Sequence, residues 1–305
     1  MELVGDVRVS RDMRLCELVE AFGRIHGFTA SSLHRAVETL REGLRESDLR
    51  ILTFTGNLIA TGLRGVIAQL LERGAFNVVF TTTGAIDHDI ARSSGGRYLK
   101  GYFDADDARL KELDVFRLGN VFIPSNSYGE LVEAFSAKLV ERALERKRRW
   151  ATFELLGLAG EMIEDQNSFL RAARIGGVEV FLPGWPDGAF GTALFMEGQK
   201  GRRIEIDYFL DMSRLAEIFF SSKRAAALIV GGGISKHHAL WWSQFKGGLE
   251  FAVYVTTAQE ADGSLSGARP REAVSWGKIS PSAKTAAVLG DATIVLPIIA
   301  ACLMG

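Results

Sequence analysis

Five short apolar segments constrain the fold of this 305-residue chain more than any other feature. Glycine, threonine or aspartate lies at or near the end of each segment. They are rich in Val, Ile and Phe, and helical stretches of ten or more residues separate them. The segments read RILTFTGN, FNVVFTTTG, VEVFLPGWPDG, AALIVGGG and FAVYVTTAQ. This alternation predicts an α/β fold, a Rossmann-like parallel sheet with flanking crossover helices.

The amino-terminal part of the chain has helical periodicity instead. Apolar residues recur three or four positions apart in DMRLCELVEAFGRIHG and ASSLHRAVETLREGLRES, and the sequence TASS offers hydroxyls for capping. We therefore expect an N-terminal helical arm over residues 1–48. A second charged helical segment spans residues 130–165, and no Pro- or Ser-rich linker is present, so we expect one domain over residues 1–305.

Composition excludes several classes of protein. Lys plus Arg (36) nearly balance Asp plus Glu (37), which gives no overall field for nucleic acid or an anionic membrane. The longest apolar run, ATIVLPIIAACLMG, is too short to span a bilayer. Cys16 and Cys302 have no CxxC spacing, so neither a disulfide framework nor a metal site is expected. We expect a soluble protein of the reducing cytoplasm.

The small residues that end the apolar segments indicate a ligand site. Ligands of open parallel sheets bind beyond the carboxyl ends of the strands, where small residues let backbone amides approach phosphates. Five such ends suggest a ligand the size of a nucleotide. GGGISKHH is not the GxGxxG motif, but it follows a buried strand and predicts a helix starting near Lys236, whose amides would favour an anion.

From the residues alone, individual candidate site residues have both a functional and a structural interpretation. Asp262 in a turn with Gly263 could hold a ribose hydroxyl or form a plain Asx turn. His237 and His238 point about 100° apart on a helix, which makes a poor metal pair. Lys278 follows a Trp-Gly pair in SGARPREAVSWGKIS. An indole nearby could exclude water and leave a nucleophilic amine that forms a Schiff base, although most lysines are surface residues.

The stretch DGSLSGARPREAVSWGKI closely resembles the deoxyhypusine synthase family, and other segments continue the resemblance in order. These are FTGNLIATGLR, FTTTGAIDHDIAR, RLGNVFIPSNSY, PDGAFG, IVGGGISKHH, FAVYVTTAQE and GDATIVLP. The resemblance covers residues 12 to 300, and GAIDHDIARS with HHALWW is similar to archaeal members.

The resemblance implies an NAD-dependent transferase with one NAD-binding domain. In this family spermidine loses a hydride to NAD, and an active-site lysine captures the resulting imine and releases 1,3-diaminopropane. The aminobutyl group then passes to one lysine of the precursor of initiation factor 5A, and NADH reduces the product to deoxyhypusine. The resemblance also implies a homotetramer with active sites between paired subunits. Partners would be spermidine and the protein acceptor, with no metal.

The resemblance assigns roles to individual residues. Lys278 would form the imine, and His237 would carry a proton. The substrate-binding positions would be Glu272 at a terminal ammonium, Trp276 beside the aliphatic chain, Tyr254, Asp87, His88 and Gly263. The cofactor-binding positions would be Gly56, Asn57, Thr82, Gly84, Asp187, Gly232, Thr257, Ala258, Asp262, Ser266 and Asp291.

Some positions depart from the family pattern. Thr192 stands where many members have aspartate, Leu265 where some have another, Trp241 where some have asparagine, and His88 where many have glutamate. Asp87 and Glu272 remain as acids, with Glu260 nearby, so a different polyamine geometry stays open.

Two alternatives to the main function also stay open. One is homospermidine synthase-like transfer to a small amine such as putrescine, which would use the same lysine. The other is a catalytically inactive NAD-binding protein. Retention of the lysine, indole, carboxylate and histidine together argues against the inactive protein.

Overall fold

The computed structural model describes residues 3 to 304. The strands in this range are β1 Leu49–Thr53, β2 Val78–Phe80, β3 Leu99–Lys100, β4 Val115–Leu118, β5 Val121–Pro124, β6 Arg149–Trp150, β7 Glu179–Phe181, β8 Glu205–Ile206, β9 Ala225–Val230, β10 Leu249–Thr256 and β11 Ile279–Leu289.

The helices are α1 Leu15–Ile25, α2 Phe28–Glu46, α3 Gly56–Ala60, α4 Leu63–Glu72, α5 Thr83–Ser93, α6 Asp107–Glu112, α7 Gly129–Arg146, α8 Thr152–Met162, α9 Phe169–Ile175, α10 Ala189–Gln199, α11 Tyr208–Ser221, α12 Gly233–Ser243, α13 Pro270–Val274 and α14 Ala292–Met304. Short 3-10 turns cover Ser125–Ser127, Gln244–Lys246 and Glu260–Asp262. No helix among the described residues is long and apolar enough to cross a membrane.

The described chain divides into two compact units. The first contains residues 3–54, 75–80 and 215–304, and the second contains residues 55–74 and 81–214. The expectation of one NAD-binding domain over residues 1–305 stays a prediction.

A parallel sheet organises the first unit. Its strands lie in the order β11, β10, β9, β1, β2, and each neighbouring pair is parallel. Every residue of β9 is fully buried. Strands covered on both faces read as unbroken apolar runs, which is why AALIVGGG was recognisable in the sequence. The α/β fold class with a parallel sheet is confirmed, and all five predicted segments contain a strand.

Strand β11 was not predicted. It is the edge strand of this sheet, pairs only with β10 among the described residues, and contains Pro281. Proline and hydroxyl residues are tolerated at an edge because one side of the strand needs no partner. The segment ISPSAKTAAVL therefore lacks the continuous apolar pattern that marks the inner strands.

The N-terminal arm is helical, as predicted, and packs on this sheet. Helix α2 contacts β9, β10 and β11, while α1 and α14 both contact α2. The predicted capping by TASS is wrong. Helix α2 begins at Phe28 after Gly27, without a side-chain cap, and Ser31 Oγ instead donates to the Phe28 carbonyl. Those hydroxyls lie inside the first turn rather than before it.

A disulfide joins Cys16 of α1 to Cys302 of α14, so the expectation that the cysteines lack a disulfide is wrong. Their Cα atoms are 5.4 Å apart although 286 positions separate them in sequence. Because α1 and α14 both pack on α2, the two ends of the chain meet in the first unit. Spacing in sequence carries no information about such a meeting.

The second unit is mainly helical. The charged segment predicted as helical at residues 130–165 forms two helices, α7 and α8, because strand β6 interrupts it. Strands β3, β5 and β4 make a small antiparallel sheet, and β6 pairs with β8. A buried ion pair links α4 to α5, where Arg64 Nε lies 2.5 Å from Asp89 Oδ1. Asp89 also accepts hydrogen bonds from Ser168 Oγ and the Leu170 amide at the start of α9.

Candidate active site

The first unit contains a small cavity of about 40 Å³ among α12, β10, α13 and the segment between β10 and α13. Its lining combines apolar side chains with lysine, arginine and glutamate. The lining residues are Lys236, Leu240, Tyr254, Leu265, Ala268, Arg269, Glu272, Ala273, Trp276 and Lys278. The cavity therefore brings together Lys278, Glu272, Trp276 and Tyr254, four of the predicted site residues.

The Trp-Gly pair before Lys278 has a structural reason. Helix α13 ends at Val274, and Gly277 takes φ +67°, a conformation that favours glycine. The amides of Gly277 and Lys278 then bond the carbonyls of Val274 and Ala273. This turn leads directly into β11 and leaves the Lys278 side chain at the cavity, with Nζ 5.1 Å from the centre of the Trp276 ring.

Trp276 is 65% exposed. That its indole could exclude water from Lys278 stays a prediction. The ring offers one apolar face at the cavity, and a further surface would have to cover it to exclude water.

A second lysine in the cavity, Lys236, is buried. Its Nζ donates to the carbonyls of Leu265 at 2.7 Å and Ala268 at 2.8 Å, and lies 4.1 Å from the centre of the Tyr254 ring. Burial lowers the pKa of the Lys236 ammonium to about 8, and the Glu272 carboxylate opposes this. Sequence reasoning gave Lys236 no role; its position in the first turn after a buried strand was the available signal.

Tyr254 lies on β10 and is almost fully buried, and its hydroxyl has no hydrogen-bond partner among residues 3–304. Burial raises the pKa of this phenol, and the charge of Glu272 raises it further, so the group stays a neutral donor. A buried hydroxyl without a partner at a cavity is suited to a polar group of a ligand.

The charges at the cavity are unequal. Lys236, Arg269 and Lys278 are cationic groups in its lining, and Glu272 is the one acid. Glu260, the further acid considered from the sequence, is occupied, since Arg271 bonds it at 3.0 Å and Arg269 lies at 3.6 Å. The cavity alone therefore offers one carboxylate to a cationic substrate.

Predicted cofactor residues in the first unit follow three neighbouring parallel strands. Gly232 comes after β9, Thr257 and Ala258 come after β10, and Asp291 comes after β11. These positions share one edge of the sheet because parallel strands end on the same side. Helix α12 begins at Gly233, three residues before the predicted start, and so presents its amino terminus at this edge.

The segment from Gln259 to Ala268 carries two more of these residues. Asp262 is exposed, and its Oδ1 accepts the Ser264 amide at 2.7 Å, which is the Asx turn considered from the sequence. Ser266 packs against Gly232, where an added Cβ would lie 2.6 Å from the Ser266 Cα. Gly263 has φ +70° in this turn and lies outside the described lining of the cavity.

In the second unit, the predicted cofactor residues Gly56, Thr82 and Gly84 lie together at the starts of α3 and α5. The Gly56 amide donates to Thr82 Oγ1 at 3.1 Å. A Cβ on Gly56 would lie 2.6 Å from the Gly84 carbonyl carbon, so the two backbones touch. Asn57 and Asp187 are exposed in the same unit.

Asp87 and His88 are buried in α5 of the second unit. Asp87 accepts the amides of Ala189 at 3.0 Å and Phe190 at 2.7 Å, which caps α10, and the Tyr128 hydroxyl at 3.1 Å. Burial raises the pKa of Asp87, although these hydrogen bonds oppose the shift. His88 Nδ1 lies 2.7 Å from the Tyr98 hydroxyl, and burial lowers the pKa of the imidazole to about 4. Their predicted substrate contacts stay predictions beside these structural roles.

His237 is exposed on α12 and stacks on Trp241, with ring centres 6.1 Å apart. Among the described residues it lies outside the cavity lining. Its neighbour His238 is more buried and accepts the Trp242 indole N–H, and burial lowers the pKa of His238 to about 4. The two adjacent imidazoles thus have different surroundings.

Comparison with known proteins gives one consistent family. The family model described as deoxyhypusine synthase matches residues 17–303. A protein of Aeropyrum pernix named "Probable deoxyhypusine synthase" is 63% identical, covering 100% of this chain and 99% of its own. One of Ignicoccus hospitalis with the same name is 54% identical, covering 98% and 94%. A crystal structure from Entamoeba histolytica, assigned to deoxyhypusine synthase, shares the fold with TM-score 0.64 and 21% identity over 96% of this chain and 93% of that one.

Proposed function

Because this chain belongs to the deoxyhypusine synthase family, we propose that it transfers the aminobutyl group of spermidine to one lysine of the precursor of initiation factor 5A, using NAD. The observation that carries the proposal is the cavity of the first unit. It places a lysine, Lys278, with a carboxylate, Glu272, and an indole, Trp276, around one space.

Lys278 is the nucleophile of this proposal. Its unprotonated amine attacks the imine carbon of oxidised spermidine, the new C–N bond forms, and the bond to 1,3-diaminopropane breaks. The aminobutyl group is then held on Lys278 as an imine. The acceptor lysine displaces it by the same exchange, which frees the Lys278 amine.

Glu272 and Trp276 hold the substrate. A carboxylate attracts the terminal ammonium of the aminobutyl group, and an indole face packs against methylenes. Tyr254, with its unpaired hydroxyl at the base of the cavity, supplies a neutral hydrogen bond. Since the cavity has one acid against three cationic groups, the remaining ammoniums of spermidine need carboxylates from outside it.

The residues at the carboxyl edge of the first sheet fit NAD. The amino terminus of α12 suits a pyrophosphate, and the exposed carboxylates of Asp262 and Asp291 suit ribose hydroxyls. For the second unit, the cofactor roles of Gly84, Thr82, Asn57 and Asp187 are proposed from the family resemblance alone. When bound, NAD accepts the hydride from spermidine and returns it to the product. His237, exposed on α12, takes up the proton released with that step.

We also propose a homotetramer whose paired subunits complete the active sites. The first unit exposes large apolar side chains around α12 and the cavity, namely Ile234, Trp241, Phe245 and Trp276. Clustered exposed apolar groups are typical of interaction surfaces. A second copy on this surface would cover the Trp276 indole and could bring the missing carboxylates. We place the protein in the cytoplasm with its acceptor, a translation factor.

The test uses purified protein with labelled spermidine, NAD and either the factor 5A precursor or putrescine. Label on one acceptor lysine supports the proposal, and label on putrescine alone would support homospermidine formation instead. Borohydride added before the acceptor should trap an adduct on Lys278. Lys278→Ala should lose the adduct and still bind NAD, whereas Lys284→Ala, an exposed lysine of β11 paired with Glu42, should keep it. Absence of any labelled adduct or product in the wild type would refute the proposal.

A further inference from the structure

The buried ammonium of Lys236 lines the cavity and has no part in the proposed reaction. It is fully buried on the first turn of α12, and it joins this helix to the segment Gln259–Ala268 through two carbonyls. Hydrogen bonds from an ionised donor are roughly twice as strong as neutral ones. One side chain therefore holds two points of this segment, Leu265 and Ala268.

Backbone hydrogen bonds between nearby residues fold this segment into tight turns. The amide of Gly263 bonds the Glu260 carbonyl, and the amides of Gly267 and Ala268 bond the Ser264 carbonyl. A second contact ties it to α12 independently, since Ser266 packs on Gly232 without room for a Cβ. The segment thus touches the start of α12 at a packed glycine and at a lysine one turn later.

This segment contributes to both halves of the proposed site. Leu265 and Ala268 form part of the cavity wall beside Lys278. Asp262 and Ser266 are two of the residues predicted to bind NAD. A shift of the segment would therefore move the amine cavity and the cofactor contacts together.

We propose that Lys236 is a positioning residue, whose ammonium fixes the segment Gln259–Ala268 on α12 and so keeps the cavity wall and the cofactor contacts in register, while Lys278 carries the covalent chemistry. The structural half of this proposal is independent of the reaction, and its catalytic half rests on the proposed function. The geometry also separates the two lysines. Lys236 directs its N–H groups to two carbonyls and lies over the Tyr254 ring, whereas Lys278 Nζ has neither contact.

Amide hydrogen exchange tests the structural half without any activity. Lys236→Met keeps an unbranched side chain and removes the donors. We expect exchange in a peptide covering residues 259–268 to quicken by about tenfold or more, because two charge-assisted bonds are lost. The control is Lys246→Met, which removes another buried lysine of the same unit that bonds the Gly248 carbonyl and Glu250 at the amino end of β10. Unchanged exchange in the Lys236 variant would overturn the proposal.

Kinetics test the catalytic half. Lys236→Met should raise the NAD dissociation constant and lower the rate of adduct formation, yet borohydride should still trap the adduct on Lys278. Lys236→Arg, which keeps N–H donors, should recover part of both losses and of the exchange protection. An adduct on Lys236 in the wild type, or full activity in Lys236→Met, would overturn the assignment.

Failure of the proposed function and failure of the Lys236 variant to fold can each be told apart from failure of this proposal. If the wild type forms no adduct with spermidine, the proposed function fails, and the exchange data still decide the role of Lys236. If Lys236→Met does not fold, Lys236→Arg decides: protection near the wild-type level supports the proposal, and an open segment in a folded Arg variant contradicts it.

Discussion

Removing the disulfide between Cys16 and Cys302 should destabilise the first unit strongly. The cross-link joins positions 286 apart. It lowers the conformational entropy of the unfolded chain by an amount that grows with the logarithm of that separation. For a loop of this length, the chain-entropy model gives about 5 to 6 kcal/mol at 25 °C, whereas measured disulfides usually contribute about 2 to 4 kcal/mol. Because the dependence is logarithmic, continued folding of the second unit would change this figure little.

The assay is urea unfolding of the wild type with and without reductant, followed by tryptophan fluorescence and far-ultraviolet circular dichroism. We expect the reduced protein to lose at least about 2 kcal/mol, which lowers the melting temperature by roughly 4 to 8 °C for a unit of this size. Cys16→Ala with Cys302→Ala should match the reduced protein and respond to no reductant. Two reactive thiols in the unreduced denatured protein, or equal midpoints in the two states, would refute the reasoning.

Three further predictions follow from local geometry. Gly56→Ala should destabilise the second unit by about 1 to 3 kcal/mol through overpacking. The control is Gly62→Ala, which should change the unfolding midpoint little, because Gly62 has φ −70° and open space where a Cβ would lie. Equal midpoints for both variants would contradict the packing argument. Asp262→Ala should weaken NAD binding by roughly five- to a hundredfold in a fluorescence titration, and an unchanged dissociation constant would leave Asp262 with its turn alone. His237→Ala should slow single-turnover NADH formation by on the order of a hundredfold while spermidine affinity changes less, and a wild-type rate at saturation would remove His237 from proton transfer.

The sequence predicted the parts of the fold that depend on local pattern. The inner strands β9 and β10 are continuous apolar runs because both of their faces are covered, so the alternation with helices was readable. The edge strand β11 was not readable, because its exposed positions tolerate Pro281 and hydroxyls. The helices of the N-terminal arm were predicted from periodicity, whereas the start of α2 depended on the break after α1, where His26 and Phe28 take positive φ.

The candidate site divides in the same way. The strand ends and the lysine of the Trp-Gly-Lys turn were found from pattern and resemblance, since small residues and a motif are properties of short segments. That Lys236 shares the cavity of Lys278, and that Asp87 caps α10, depend on where distant backbone carbonyls and amides lie. The residue types do not reveal these contacts, because the partners of Lys236 and Asp87 are backbone groups, which every residue has.

By itself, the amino-acid sequence determined the α/β class, the order of the inner strands along the chain and the family resemblance, from which the proposal of Lys278 as the reactive lysine comes. Only the tertiary structure decided that Cys16 meets Cys302, that Glu260 is occupied by arginines, and that one carboxylate faces three cationic groups at the cavity. The physical reason is that periodicity and motifs depend on interactions between residues close together in the sequence. Charge pairing and cross-linking instead depend on distances that only the folded chain sets, whether 11 positions separate the partners, as for Glu260 and Arg271, or 286, as for Cys16 and Cys302.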